Sequence, residues 1–273
     1  KALCVYSGEL CAAGIFTDAG GAPVQNIACW NGAAWLPLAG GLSGNPEHMA
    51  VLNGSLVVGG SFSDGENSRR LAVWNGASWD LSNTPGIGHI TAMWSHNNVL
   101  YIGHDVYRAP GQIAAWDGAD WYTLPGTHTS YYLSDAVRSM TSYGADLVVI
   151  ADLEVGNLGR WNGSYWRGLG PGPDDTISSL QVYRGDLIAA GSFRRAGATA
   201  LNGIARWDGS AWQPLGAGLP EGDYIGDLRT IGDELIAVGD FDVIGGVPAR
   251  SVAAWNGLTW RALATVIGAP GVN

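Results

Sequence analysis

The sequence predicts an all-β fold: a six-bladed β-propeller with four antiparallel strands per blade and a ring closed without strand exchange. Three observations predict it. The phrase Trp-Asn/Asp-Gly-x-x-Trp occurs six times, at Trp30–Trp35, Trp74–Trp79, Trp116–Trp121, Trp161–Trp166, Trp207–Trp212 and Trp255–Trp260, and holds twelve of the 13 tryptophans. Successive copies start 44, 42, 45, 46 and 48 residues apart, a period with the modest drift of a repeat architecture. Ahead of each phrase lies a pair of short apolar runs joined by a polar turn. No stretch has the 3.6-residue periodicity of a helix.

The repeats align on one leucine each: Leu10, Leu56, Leu100, Leu147, Leu187 and Leu235. Seven residues earlier stands another large apolar residue, Leu3, Met49, Met93, Met140, Leu180 or Leu228, and all three methionines occupy that position. Turns such as Ser7-Gly8, Asn53-Gly54 and Gly232-Asp233 lie between the two, which reads as a β-hairpin of strands A and B. A loop of variable length leads to strand C, which ends on the first Trp. Two residues before that Trp the side chain is always tiny (Ala28, Ala72, Ala114, Gly159, Ala205, Ala253), as close approach of a neighbouring sheet requires. The Asn-Gly or Asp-Gly of the phrase is a second tight turn with positive φ. The second Trp opens strand D, whose Pro37 and Pro214 mark an edge strand. Trp94, outside the phrase, is expected as core filler on strand A.

The whole chain reads as one propeller, with blades at about 1–41, 42–85, 86–128, 129–172, 173–219 and 220–273. A 45-residue unit cannot bury its own apolar face, so the units must share cores. Hydrophobic residues make up 47% and can supply those cores, and 42 glycines suit a chain that turns this often. The net charge is −10 with Lys1 the only lysine, and no basic stripe invites nucleic acid. No apolar run is long enough to span a membrane, and no signal peptide is visible. A first residue of Lys rather than Met reads as a processed or excised part of a larger polypeptide.

Three cysteines, Cys4, Cys11 and Cys29, fall in the first repeat. Either all three are small buried hydrophobes, or Cys4 and Cys11 bond across the A–B hairpin and leave Cys29 free. The histidines lack ligand spacing with cysteine, so neither metal nor cofactor is expected.

Val57-Val58-Gly59-Gly60 followed by Trp74 and Trp79 resembles a kelch repeat. The fuller phrase, Leu-x-x-x-Gly-x-Phe then Ile-Ala-x-Trp-Asn-Gly-x-x-Trp, is similar to repeats of large secreted bacterial proteins and of fungal cortical polarity markers. The similarity spans all six units, although Gly-Gly is complete only in blade two. The resemblance implies a propeller and an extracellular or cell-surface setting. Kelch-like propellers include oxidases, adaptors and adhesins, so it does not choose an activity.

The A–B and C–D turns open on one face and are nearly uniform. The B–C and D–A loops open on the other and vary, so the site is expected there. Blades three and four break the pattern on that face. The residue four past the anchoring leucine is Gly14, Gly60, Gly191 or Gly239 elsewhere, but His104 and Ala151 in these two. Asp105 and Asp152 follow, and the B–C loop of blade three adds Tyr107 and Arg108. The longest D–A loop adds His128, Tyr131, Tyr132 and Asp135. The candidate ligand-binding set is therefore His104, Asp105, Tyr107, Arg108, Tyr131, Tyr132 and Asp152, aromatic and charged groups suited to a glycan or a protein ligand. The copper ligands of kelch-fold oxidases do not assemble from matching positions. No Asp-box, nucleophile elbow, P-loop or His-Glu-x-x-His stretch occurs. The six Trp pairs read as packing rather than as six sugar platforms. The reading is a non-catalytic ligand-binding or adhesion propeller. The alternatives are a structural module of a larger extracellular assembly and a kelch-fold enzyme such as an oxidase.

Overall fold

The computed structural model describes residues 1–38, 40–63, 65, 67–81, 87–105, 113–125, 137–153 and 155–263. The fold is all-β, made of six four-stranded antiparallel blades of the β-propeller class, with no helix among the described residues. Blade one comprises β1 (Ala2–Tyr6), β2 (Glu9–Ala13), the small hairpin β3 (Asp18–Ala19) and β4 (Ala22–Pro23), β5 (Ile27–Trp30) and β6 (Trp35–Pro37). Blade two is β7 (Asn45–Leu52), β8 (Ser55–Ser63), β9 (Ser68–Trp74) and β10 (Trp79–Asp80). Blade three is β11 (His89–His96), β12 (Val99–Asp105), β13 (Ile113–Trp116) and β14 (Trp121–Thr123). These belong to a compact unit, Lys1–Val137.

The second unit, Arg138–Asn273, repeats the plan. Blade four is β15 (Ser139–Tyr143), β16 (Asp146–Leu153), β17 (Gly156–Trp161) and β18 (Trp166–Gly168). Blade five is β19 (Ile177–Tyr183), β20 (Asp186–Gly191), the small hairpin β21 (Arg195–Ala196) and β22 (Thr199–Ala200), β23 (Ile204–Trp207) and β24 (Trp212–Pro214). Blade six is β25 (Tyr224–Ile231), β26 (Glu234–Asp240), the small hairpin β27 (Val243–Ile244) and β28 (Val247–Pro248), β29 (Val252–Trp255) and β30 (Trp260–Ala262). Every blade is built from consecutive strands, and none borrows a strand from a distant part of the chain.

Neighbouring blades within a unit share their cores. In blade two, Leu56 and Val58 pack towards blade one while Val57 between them packs towards blade three, so both faces of β8 are buried. That two-sided burial explains an unbroken apolar run where a half-exposed strand would alternate. The second unit does the same, with Leu187 and Ala189 facing blade four and Ile188 and Ala190 facing blade six. Five anchoring leucines are fully buried; Leu10 is 39% exposed. The tiny residues before the first Trp are buried as well. At Gly159 a Cβ would stand 2.6 Å from Leu153 Cδ1 and 2.9 Å from Val155 Cγ2, so there the crowding comes from the blade's own B–C hairpin.

The two tight turns have separate physical causes. All six A–B turns begin with a residue at positive φ: Ser7, Asn53, Asn97, Gly144, Arg184 and Gly232. In the C–D turns the glycine takes the left-handed conformation, as at Gly32 and Gly257. The preceding Asn or Asp caps the turn from its side chain. Asn31 Oδ1, for example, accepts from the N–H groups of Ala33 and Ala34 at 3.0 and 2.9 Å, and Asp117 and Asp208 accept in the same way. The phrase therefore needs Asn or Asp for hydrogen bonding and Gly for backbone shape.

The paired tryptophans face each other across β5–β6 and its counterparts, with ring centroids 5.3–5.8 Å apart. Trp212 and Trp260 also donate from Nε1 to the carbonyls of Leu169 and Leu215 in the preceding blade. Pro37 and Pro214 lie on edge strands, where a missing donor leaves no ladder bond unmade. Trp94 is on β11, but 38% of it is exposed, so it does not fill the core.

Neither expected arrangement of the cysteines is found, neither three unbonded thiols nor a Cys4–Cys11 bond. The disulfide joins Cys11 to Cys29, and Cys4 is the free thiol. The three form one cross-strand row, with Cys11 opposite Cys4 on one side and Cys29 on the other. Gly14 N–H bonds to Asn26 carbonyl. Counting back along the ladder makes Cys11–Cys29 the narrow, non-hydrogen-bonded pair, and their Cα atoms are 4.0 Å apart. Cys11 then forms the wider pair with Cys4.

The B–C loops of blades one, five and six each carry an ordered two-by-two hairpin that the sequence reading treated as irregular loop. Its glycine tip lies on the second Trp in blades one and six, where a Cβ on Gly20 or Gly245 would stand 3.2 or 2.5 Å from the ring of Trp35 or Trp260. Asn26, at φ 63°, fixes the base of the first hairpin by donating from Nδ2 to the carbonyls of Leu42 and Gly44. Asn202, at φ 53°, donates likewise to Ala217.

Candidate functional site

The position that singled out blade three has a steric meaning. A Cβ on Gly60 would stand 2.2 Å from the Asn45 carbonyl oxygen, one on Gly191 2.0 Å from that of Thr176, and one on Gly239 2.2 Å from that of Tyr224. Strand A crosses strand B so closely there, beside a bulge, that only glycine fits. His104 holds the same register position, opposite Ile90, and its side chain is accommodated. It is 6% exposed, and Nδ1 has no hydrogen-bond partner among the described residues. Burial pushes its pKa down, only partly offset by the neighbouring Asp105 carboxylate, which favours the neutral ring.

Strand alternation sends Asp105 to the other face, where it is 45% exposed. It pairs across the ladder with His89, the first residue of β11. His89 Nδ1 lies 4.0 Å from Asp105 Oδ2, and Nε2 lies 3.0 Å from Glu47 Oε2. Glu47 also accepts from Lys1 Nζ at 2.7 Å and from Asn45 Nδ2 at 3.1 Å. The Lys1 bond, more than the nearby positive charge, holds the Glu47 carboxyl below the usual carboxylate range. The next residue, His48, bonds through Nε2 to the Ile90 carbonyl at 3.1 Å, which requires the proton on Nε2. Its pKa is lowered mainly by burial.

The result is a line Lys1–Glu47–His89–Asp105 running over the strand ends that adjoin the B–C and D–A loops. Lys1 and the His89 ring each lie beside carboxylate, and Asp105 and His89 are open to solvent. Such a line can accept hydrogen bonds from hydroxyl groups or bind a cationic group. Among the described residues no group of three His, Cys, Asp or Glu side chains could hold a metal ion.

Of the expected site residues, the structure therefore gathers Asp105 with Glu47 and His89, and places His104 in the interior beside them. Asp152 lies on β16. Tyr107, Arg108, Tyr131 and Tyr132, with His128 and Asp135, lie outside the described residues. Glu47 and His89 escaped the sequence reading because they stand at the starts of two strands 42 residues apart, within a single repeat step. Both stand within the first three residues of a strand A, at the rim where Asp105 ends a strand B.

No family model matches the chain, and no curated protein matches its sequence. Solved structures do share its fold. Over 96% of its length the chain is similar, with TM-score 0.62 and 10% identity, to the extracellular domain of a hybrid two-component system from B. thetaiotaomicron. It spans 32% of that chain. It is also similar to the computationally designed Ika8 protein, with TM-score 0.54 and 17% identity, over 93% of this chain and 69% of that one. At these identities the likeness establishes the β-propeller class.

Proposed function

We propose that the chain is a non-catalytic ligand-binding module of an extracellular or cell-surface protein, working through the B–C/D–A face and taking a glycan as ligand. The observation that carries this reading is the solvent-open pair His89 and Asp105, backed by the largely buried Glu47 carboxylate, a polar set suited to sugar hydroxyls on a rigid strand scaffold. The Tyr107, Arg108, Tyr131 and Tyr132 side chains belong to the same two loops by sequence and would supply stacking surfaces. The Cys11–Cys29 bond supports an oxidising, extracytoplasmic location, and the B. thetaiotaomicron neighbour is itself an extracellular domain. Among the described residues no helix is long and apolar enough to cross a membrane. The kelch-like reading of the repeat is supported by the Gly59-Gly60 close approach in blade two and by the paired tryptophans.

A glycan array with the purified chain, with calcium and with EDTA, tests the proposal. Binding that falls at least tenfold in Asp105→Ala and in the Tyr131→Ala/Tyr132→Ala double variant supports it. A blank array rejects a glycan ligand, and binding indifferent to both variants rejects this face.

A further inference from the structure

A cleft of about 240 Å³ lies between blades five and six, lined by the A–B turn of blade five, the end of its strand D and the C–D turn of blade six. Its floor and walls include Tyr183, Ile188, Leu215 and Trp255, and two arginines, Arg184 and Arg206, stand at its edge with Asp186. Arg206 Nη1 bonds Asp186 Oδ2 at 3.1 Å, with both side chains about 40% exposed. The Arg184 guanidinium lies over the Tyr183 ring, 5.2 Å from its centroid, and makes one long bond of 3.4 Å to the Asp233 carbonyl. A guanidinium has five N–H donors, so both arginines keep donors to spare. Among the residues that line the cleft, two arginines stand against one carboxylate, in a chain of net charge −10.

Arg184 is also out of place conformationally. It opens an A–B turn at φ 52°, where the other blades use Ser7, Asn53, Asn97, Gly144 and Gly232. Small or amide side chains suit that backbone, and a long arginine does not. A residue kept where its backbone is disfavoured points to use of its side chain. The junction of blades four and five supplies an internal comparison. It repeats Tyr143, an Asp146–Arg160 pair at 3.4 Å and Trp207 beside Gly170, but has Gly144 where Arg184 would be. The blade-five cleft is therefore the shared groove plus one guanidinium.

We propose that this cleft binds a carboxylate-bearing sugar of the uronate type. The guanidinium groups of Arg184 and Arg206 take the carboxylate and the Asp186 carboxylate accepts from ring hydroxyls, while Ile188, Leu215 and Trp255, each less than a tenth exposed, back the cleft. The volume is slightly below the roughly 300 Å³ at which small-molecule sites begin, which limits the ligand to about one sugar ring. The site is separate from the Glu47–His89–Asp105 line and does not depend on it.

Ligand-observed NMR titration of the whole chain with methyl β-D-glucuronide, methyl β-D-glucoside and acetate tests the proposal. The glucuronide is expected to bind at least tenfold more tightly than either control. Arg184→Gly, which recreates the blade-four turn and relieves the left-handed backbone, should fold normally and lose at least tenfold in glucuronide affinity. Arg206→Gln should lose a similar amount, and Arg160→Gln, in the blade-four groove that has Gly144 in place of Arg184, should change nothing. Absence of glucuronide binding, equal binding of acetate, or full affinity in Arg184→Gly would each overturn the assignment.

Discussion

Glu47 Oε2 lies 3.0 Å from His89 Nε2, so the first strands of blades two and three are joined by a polar contact at their loop ends as well as by packing. The Glu47 side chain is only 15% exposed, which shields the contact from solvent. Glu47→Gln should reduce stability by about 1 kcal/mol at neutral pH, measured by urea unfolding. Because its folded pKa is depressed, the contribution is complete above the ordinary value of 4.5 and is lost as pH falls through the lower folded value. The difference between wild type and variant should therefore shrink below about pH 4.5. A gap that stays constant down to pH 3 would contradict the ion-pair account.

The Cys11–Cys29 bond closes a loop of sequence separation 18 between strands B and C of blade one. Chain entropy for a loop of that size gives roughly 3 kcal/mol, so Cys29→Ala should cost about that much. Cys4→Ala should cost far less. Denatured, unreduced protein should titrate one thiol and reduced protein three, and non-reducing peptide mapping should join the segments of residues 11 and 29. A link from residue 4 to residue 11 would refute the pairing.

Blade count, strand order and both tight turns were legible because each depends on local chemistry repeated six times. The Asn-Gly turn, the edge prolines and the compulsory alanine leave a mark at one fixed offset. The cysteine pairing was not legible, since Cys11 has a cysteine opposite it on both sides and only hydrogen-bond phase decides between them. Nor was the burial of His104. Its substitution for glycine was visible, but the side chain's destination depends on how closely strand A crosses strand B, which differs between blades. The small B–C hairpins were missed because two-residue ladders are too short to show alternation. The blade-five cleft was missed because Arg184 lies in a turn that appeared uniform from the other five blades.

Asn26 does two jobs that substitution can separate. It adopts φ 63°, and its side chain reaches Leu42 and Gly44. Asn26→Gly keeps the backbone shape and removes three side-chain hydrogen bonds, the two donated to Leu42 and Gly44 and the one Oδ1 accepts from the Phe16 N–H, each worth about 1 kcal/mol. Asn26→Ala also incurs the left-handed backbone cost of roughly 1 kcal/mol. Thermal unfolding should therefore rank wild type above Asn26→Gly and Asn26→Gly above Asn26→Ala. Equal stability of the two variants would mean that the backbone conformation is unimportant there.

The repeated tryptophans can be tested as packing or as platforms by choosing two with different surroundings. Trp116 is 7% exposed and packs with Leu100 and Ile102 in the core shared by blades two and three. Trp30 is 37% exposed and ends strand C of blade one. Emptying the Trp116 site should cost about 3–5 kcal/mol, because the surrounding strands cannot close over so large a void. Trp30→Ala should cost about 1–2 kcal/mol, since only part of its ring area leaves water on folding. If the phrases were sugar platforms, Trp30 would be the best placed to bind, being the most open first Trp, and its removal would abolish glycan binding while leaving stability nearly intact. Packing predicts the reverse, with binding unchanged and stability loss following burial. Denaturation and array binding of both variants, read together, decide between the two.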